Sequence, residues 1–101
     1  MSDTWTAEKL AASTGQPHPP GGLAQLVEAL WWDAKGDWNR AHEIAQEIHT
    51  ADAAWVHAYL HRREGDQGNA AYWYHQAHRP VSSRPLGEEW REITSALLSD
   101  R

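Results

Sequence analysis

A Gly-Asp turn occurs twice in this chain of 101 residues, and each copy lies between two segments with helical patterning. Gly36-Asp37 follows LVEALWWDAK and precedes WNRAHEIAQEIH, whereas Gly65-Asp66 follows WVHAYLHRRE and precedes QGNAAYWYHQAH. Small residues recur in register with both glycines, namely Ala29 and Ala58 before them and Ala41 and Ala70 after them. This register predicts two copies of one helix-turn-helix unit.

Apolar side chains recur at the three-and-four spacing of amphipathic helices throughout the chain after its proline-rich segment. The pattern predicts helices over about Leu23 to Lys35, over about Trp38 to Thr50, and from just after Asp52 to Glu64. A fourth helix follows Asp66 and is terminated by Pro80. A last helix carries an apolar stripe of Leu86, Trp90, Ile93 and Leu97. No segment alternates as a strand does, so the predicted fold class is all-α.

The chain divides into an N-terminal segment, residues 1–22, and a single helical domain, residues 23–101. Residues 14–22, TGQPHPPGG, contain three Pro and three Gly and cannot form a helix interior, so they predict a linker or an extended strap. Before them, Trp5 and Leu10 are the side chains able to dock a short helical turn on the domain. The last helix is expected to cover the apolar end that stacked helical units leave.

The second unit resembles a tetratricopeptide hairpin at its small-residue, turn and aromatic positions: Ala58, Gly65-Asp66, Ala70, Tyr74, Ala77 and Pro80. The first unit resembles it more loosely, at Ala29, Trp32, Gly36-Asp37 and Ala41, so the resemblance covers about residues 25–80. It implies two stacked hairpins and a groove for a partner. Because Gly36 and Gly65 are closer together than the period of about 34 in that family, the junction is expected to be tighter. The string WVHAYLHRREGDQGNAAYWY also resembles a group of short proteins that have no established activity.

Polar residues replace core residues in the first helix of each unit. Where the family places Leu and Tyr, the second unit has His57 and His61, and the first has Glu28 and Trp32. An unpaired buried polar group costs about 1–3 kcal/mol, so these side chains need partners.

His57 and His61 are four residues apart and therefore share one helix face, the spacing by which a helix offers two nitrogens to one metal ion. If the hairpins stack, Glu28 lies on the neighbouring helix and completes a two-His, one-carboxylate set suited to Fe(II) or a catalytic Zn(II). His42 is a further ligand or an orienting residue. The alternative is a hydrogen-bonded network of Glu28, His57, Tyr59 and a Trp N–H without metal.

Aromatic side chains form a second candidate surface. The chain has seven Trp, three Tyr and no Phe, so most rings are expected in the core. Adjacent helical residues differ by about 100° in direction, and both members of an adjacent pair cannot face the same neighbour. We therefore expect partner-binding residues among Trp31, Trp32, Tyr72 and Trp73.

Composition excludes several functions. The net charge is −5 and the nine basic residues are scattered, which argues against a nucleic-acid partner. No apolar stretch is long enough for a bilayer span, and the chain has no Cys, so we expect a cytoplasmic protein without thiolate chemistry.

Three hypotheses follow from the sequence. The first is a binding module that holds a protein segment or small ligand on an aromatic and histidine-rich face. The second is a metal-binding protein or metal-dependent enzyme, and the third is self-association through an uncovered hairpin face. The sequence fixes neither the partner nor the oligomeric state, and it contains no catalytic motif that names a reaction.

Overall fold

The computed structural model describes residues 4–99, and this part of the chain is helical without strands, which confirms the all-α prediction. Residues 1–3 and 100–101, at the ends of the two predicted segments, lie outside the described part. The six α-helices are α1 (Ala7–Ala12), α2 (Gln25–Lys35), α3 (Trp38–Gln46), α4 (Ala51–Glu64), α5 (Gln67–Gln76) and α6 (Leu86–Ser99). A single 3₁₀ turn, Ser13–Gly15, follows α1.

The duplicated Gly-Asp turn has the same geometry in both copies. Gly36 and Gly65 end α2 and α4 with positive φ angles of 103° and 91°. The aspartate after each glycine caps the next helix, because Asp37 and Asp66 each accept a hydrogen bond from a backbone N–H three residues later. The sequence repeat is therefore also a repeat of local structure.

Four helix boundaries differ from the predicted ones. α2 begins at Gln25 rather than near Leu23, and α4 begins at Ala51 rather than after Asp52. α3 ends at Gln46 rather than near Thr50, because the Thr50 hydroxyl accepts a hydrogen bond from the N–H of Ala53 and starts α4 instead. α5 ends at Gln76, and the chain leaves it through His78, which has a φ of 59°.

The helices pack as two consecutive pairs joined through α4. α4 lies against α5, α2 lies against α3, and α4 also contacts both α2 and α3. α6 contacts α2, α4 and α1, so it lies across the first helices of both pairs. Trp90 of α6 donates its indole N–H to the carbonyl of Leu30 at 2.9 Å, and Ile93 is fully buried.

The N-terminal segment belongs to the same core. Ala7 and Leu10 of α1 are buried with the residues of the domain. Trp31 donates its indole N–H to the Ser13 hydroxyl at 2.9 Å. The Lys35 ammonium donates to the carbonyl of Thr14, within the 3₁₀ turn, and to that of Gln16, just after it. These contacts hold residues 13–16 against α2.

A buried carboxylate on α6 joins three helices. Glu89 is 1% exposed and accepts hydrogen bonds from the Tyr74 hydroxyl at 2.6 Å and from the Trp55 indole N–H at 3.3 Å. Its charge is paired with the Arg62 guanidinium at 2.8 Å. Burial, together with the neighbouring Glu89, raises the pKa of Tyr74, so its hydroxyl remains a donor.

We predict that Gly65→Ala destabilises the protein by about 1–2 kcal/mol, because an L side chain is disfavoured at a φ of 91°. The measurement is urea unfolding followed by circular dichroism. Gly87→Ala is the matched control, since it lies in α6 and a Cβ there meets no atom within 4 Å. The control is expected to be neutral or up to about 1 kcal/mol more stable. Equal effects of the two changes would contradict the role of the turn.

We also predict that Glu89→Ala lowers the free energy of unfolding by about 3–5 kcal/mol, because it leaves the Arg62 charge without its partner in a buried site. Glu92→Ala on the same helix is the control. Its ion pair with Arg84 is long, 3.8 Å, and solvent-exposed, so its loss is expected to cost less than about 0.5 kcal/mol. A similar loss in both variants would mean that the buried pair does not stabilise the fold.

Candidate metal centre

Two histidines lie one turn apart inside the protein, on the helix at its centre. Residues 53–61 of α4 are all buried, and His57 and His61 within this run are 6% and 8% exposed. Their rings are nearly parallel, with centroids 4.9 Å apart and an angle of 21°. The i, i+4 spacing thus brings two imidazoles together inside the fold.

A third imidazole comes from α3. His42 is half-buried, and its Nε2 lies 2.9 Å from the Nε2 of His57. One ligand atom from each of His42, His57 and His61 lies within 4.8 Å of those from the other two. Two helices of different pairs therefore converge on a cluster of three imidazoles, which we call the histidine cluster.

A carboxylate orients one member of the histidine cluster. The Nδ1 of His61 lies 2.8 Å from Oε2 of Glu64, one turn further along α4. Because a carboxylate accepts hydrogen bonds, this contact places the proton of a neutral His61 ring on Nδ1 and the lone pair on Nε2. In metal proteins the same partner commonly orients an imidazole ligand.

Indole rings hold the other two imidazoles. Trp73 of α5 stacks on His57 with centroids 4.0 Å apart and an angle of 11°. Trp38 stacks on His42 at 4.8 Å and donates its N–H to the carbonyl of Leu60 at 2.7 Å. Because each ring is packed against a larger ring, its orientation is restricted before any ligand binds.

Burial keeps the imidazoles of His42 and His57 uncharged at neutral pH. Desolvation lowers the pKa of His57 to about 4, and the neighbouring His42 and His61 add to the shift by repulsion. Desolvation and His61 also lower the pKa of His42. Neutral imidazole is the form that binds metal ions.

The carboxylate predicted for this centre lies elsewhere. Glu28 on α2 is half-buried, and among residues 4–99 it belongs to neither of the two groups of side chains with metal-ligand spacing. His42, predicted only as a supporting residue, takes the third position. The alternative network also differs from its prediction, because Tyr59 donates its hydroxyl to Asp33 at 3.0 Å.

The four aromatic residues predicted to bind a partner have different environments. Trp31 is fully buried, so it is a core residue and not a surface one. Trp32 is half-buried beneath the Arg40 guanidinium, 4.7 Å from its ring centroid. Trp73 is half-buried on His57, and Tyr72 beside it is 55% exposed. The accessible aromatic surface is therefore on α5.

Sequence reasoning missed three acidic residues that the fold uses. Glu64 orients His61, Glu89 pairs with Arg62, and the buried Asp33 pairs with Arg63 at 3.1 Å. Burial raises the pKa of Asp33, a shift that the Arg63 charge opposes. The i, i+3 spacing of His61 and Glu64 was a usable signal, whereas the other two partners come from helices far apart in sequence.

Comparison with known proteins found no matching family model, no matching curated protein and no matching solved structure. Across residues 4–99, none of the helices has both the length and the apolar composition needed to cross a bilayer. The function of this chain has therefore to be inferred from its own side chains.

We predict that the metal-free protein loses stability as the pH falls from about 6.5 toward 4. The pKa of His57 is lower in the folded state than the ordinary value of 6.5, so the unfolded chain binds more protons in this window. A shift of this size corresponds to about 3 kcal/mol at the acidic end. Urea unfolding with a chelator present, at pH 7 and at pH 4.5, measures the effect.

His57→Phe retains a ring for Trp73 to stack on and should reduce this loss. The exposed His75 provides the control, since His75→Gln should leave the loss unchanged. An equal loss in wild type and His57→Phe would mean that other groups, such as carboxylates, cause the acid destabilisation.

Proposed function

We propose that this protein binds a transition-metal ion, with His42, His57 and His61 as its ligands. The observation that carries the proposal is the convergence of three imidazole ligand atoms within 4.8 Å on two packed helices. Zn(II) or Fe(II) suits such a nitrogen donor set, because imidazole is a borderline ligand that these ions accept. Three histidines without a protein carboxylate favour Zn(II) of the two.

The spacing of the histidine cluster supports this proposal. His42 and His57 have their Nε2 atoms 2.9 Å apart. Two nitrogens on a tetrahedral zinc ion lie about 3.3 Å apart, given Zn–N bonds of about 2.0–2.1 Å. Exchanging the shared proton for a metal ion thus requires only a small displacement.

The protein environment supplies the other requirements of a metal site. The low pKa of His57 presents a neutral ligand, and Glu64 holds His61 with its Nε2 lone pair free. Three protein ligands leave a coordination position open, which is typical of catalytic rather than structural zinc. A bound ion would there supply Lewis acidity or activate a water molecule.

A binding module is the second candidate function. It is supported by a cavity of about 450 Å³ beside Trp73 and by the exposed Tyr72, which together offer a surface for a protein segment or small ligand.

We also propose that the pairs α2–α3 and α4–α5 are two hairpins of the tetratricopeptide kind, with α6 lying across their first helices. Metal binding and ligand binding are compatible, because His57 borders both places.

We predict that the purified protein binds one Zn(II) ion per chain, measured by elemental analysis after dialysis and by isothermal titration calorimetry. His42→Ala, His57→Ala and His61→Ala are each expected to abolish stoichiometric binding. Glu64→Gln is expected to lower the affinity by about 10–100-fold, because it weakens the orientation of His61. Co(II) substitution should give the absorption bands of a tetrahedral nitrogen site.

The controls for metal binding use histidines outside the cluster. His75→Ala and His78→Ala alter exposed residues and should keep full zinc binding. Glu28→Gln should also keep it, since Glu28 is outside the cluster. Wild-type protein that binds no more zinc than a variant lacking all three cluster histidines would refute the proposal and leave a hydrogen-bonded histidine network.

A further inference from the structure

A cavity of about 450 Å³ borders the histidine cluster. Its walls come from the end of α3 and the loop after it, the first half of α4 and the second half of α5. This volume is in the range of sites for small organic molecules. Of the cluster, only His57 lines this cavity.

The polar side chains of this cavity are of other types than the four charged ones. They include no Asp, Glu, Lys or Arg, although the whole chain has 23 residues of these types, nine basic and 14 acidic. The polar groups are amides, hydroxyls and imidazoles, from Gln46, Gln76, Thr50, Tyr72, His49 and His78. The apolar part comes from Ile48, Ala53, Ala54 and the ring of Trp73. An occupant therefore meets both hydrogen-bonding side chains and apolar ones, among them the ring of Trp73.

His57 lines this cavity and has one ring nitrogen without a hydrogen bond to the described residues. Its one hydrogen bond within residues 4–99 is the contact of Nε2 with His42, and Nδ1 has no protein partner there although the side chain is 6% exposed. When Nε2 binds a metal ion, the ring proton lies on Nδ1, which then needs an acceptor. His61 has such an acceptor in Glu64, whereas His57 has none among the described residues.

Helix ends of both polarities meet at this cavity. α4 begins at this cavity, where Thr50, Ala51, Ala53 and Ala54 are among the lining residues, and a helix N-terminus attracts anions. α3 and α5 end at the same cavity with the opposite polarity, and His49 and His78 follow those ends. Both residues are imidazoles that can donate to an anion.

We propose that this cavity binds a small organic carboxylate with a flat apolar body, whose oxygen accepts the Nδ1–H of His57 while its body lies along Trp73. The proposal rests on the proposed metal site and gives it a ligand class. Because the carboxylate supplies the missing partner of a metal ligand, metal and carboxylate binding reinforce each other. By linkage, each raises the affinity for the other by the same factor.

Benzoate is the probe, and its neutral analogue benzamide is the chemical control. Calorimetry of the zinc-loaded protein is expected to detect benzoate and to show at least about tenfold weaker binding of benzamide. Removing zinc should weaken benzoate binding by about tenfold, and saturating benzoate should raise zinc affinity by the same factor. Benzoate affinity that is independent of zinc would overturn the proposal.

Two variants of α5 separate the cavity from the open position on the metal. Gln76→Trp fills the cavity and should abolish benzoate binding with zinc affinity retained. Gln67→Trp changes an exposed glutamine outside the cavity and should leave both affinities unchanged. Benzoate binding that survives Gln76→Trp would show direct coordination to the metal and overturn the cavity proposal.

The outcomes distinguish the two proposals. Full zinc binding without benzoate binding overturns the carboxylate site and leaves the metal site intact. Absence of zinc binding, established by elemental analysis on the same protein, overturns both, since the coupling then has nothing to act on.

Discussion

The structure depends on the burial of α4. Nine consecutive residues of this helix, Ala53–His61, are shielded by the helices around it. A helix that is buried on all sides has no solvent face for polar side chains, so every polar group on it needs a partner from a neighbouring helix. His57 finds His42 on α3, and Tyr59 finds Asp33 on α2. The histidine cluster is thus a direct consequence of how α4 is packed.

The choice of aromatic residues explains why the core contains many polar atoms. The chain lacks Phe and uses Trp and Tyr as its large side chains, and each brings a polar atom into the interior. Trp55 and Tyr74 donate to Glu89, while Trp38 and Trp90 donate to backbone carbonyls. Glu89 in turn requires the Arg62 charge. Aromatic packing, buried acids and buried imidazoles therefore occur together.

The proposed metal site and the proposed carboxylate site share one side chain, His57. Its Nε2 faces another imidazole, and its ring is stacked on Trp73 at the wall of the cavity. A histidine has two ring nitrogens whose protonation is coupled. Binding of a metal ion to one nitrogen therefore determines whether the other carries the proton. Because Trp73 also belongs to α5, a ligand in the cavity and an ion in the cluster contact the same packed pair of rings. This arrangement would make the two proposed binding events interdependent.

The sequence by itself determined the helices, the two Gly-Asp turns and the pairing of His57 with His61, because all of these follow from spacing within one or two helical turns. It also indicated that polar groups would be buried on α4. Only the tertiary structure decided that His42 rather than Glu28 joins them, that Trp31 lies in the core and that α6 crosses both pairs. The physical reason is that local periodicity fixes which residues share a helix face. Which faces meet depends on how whole helices pack.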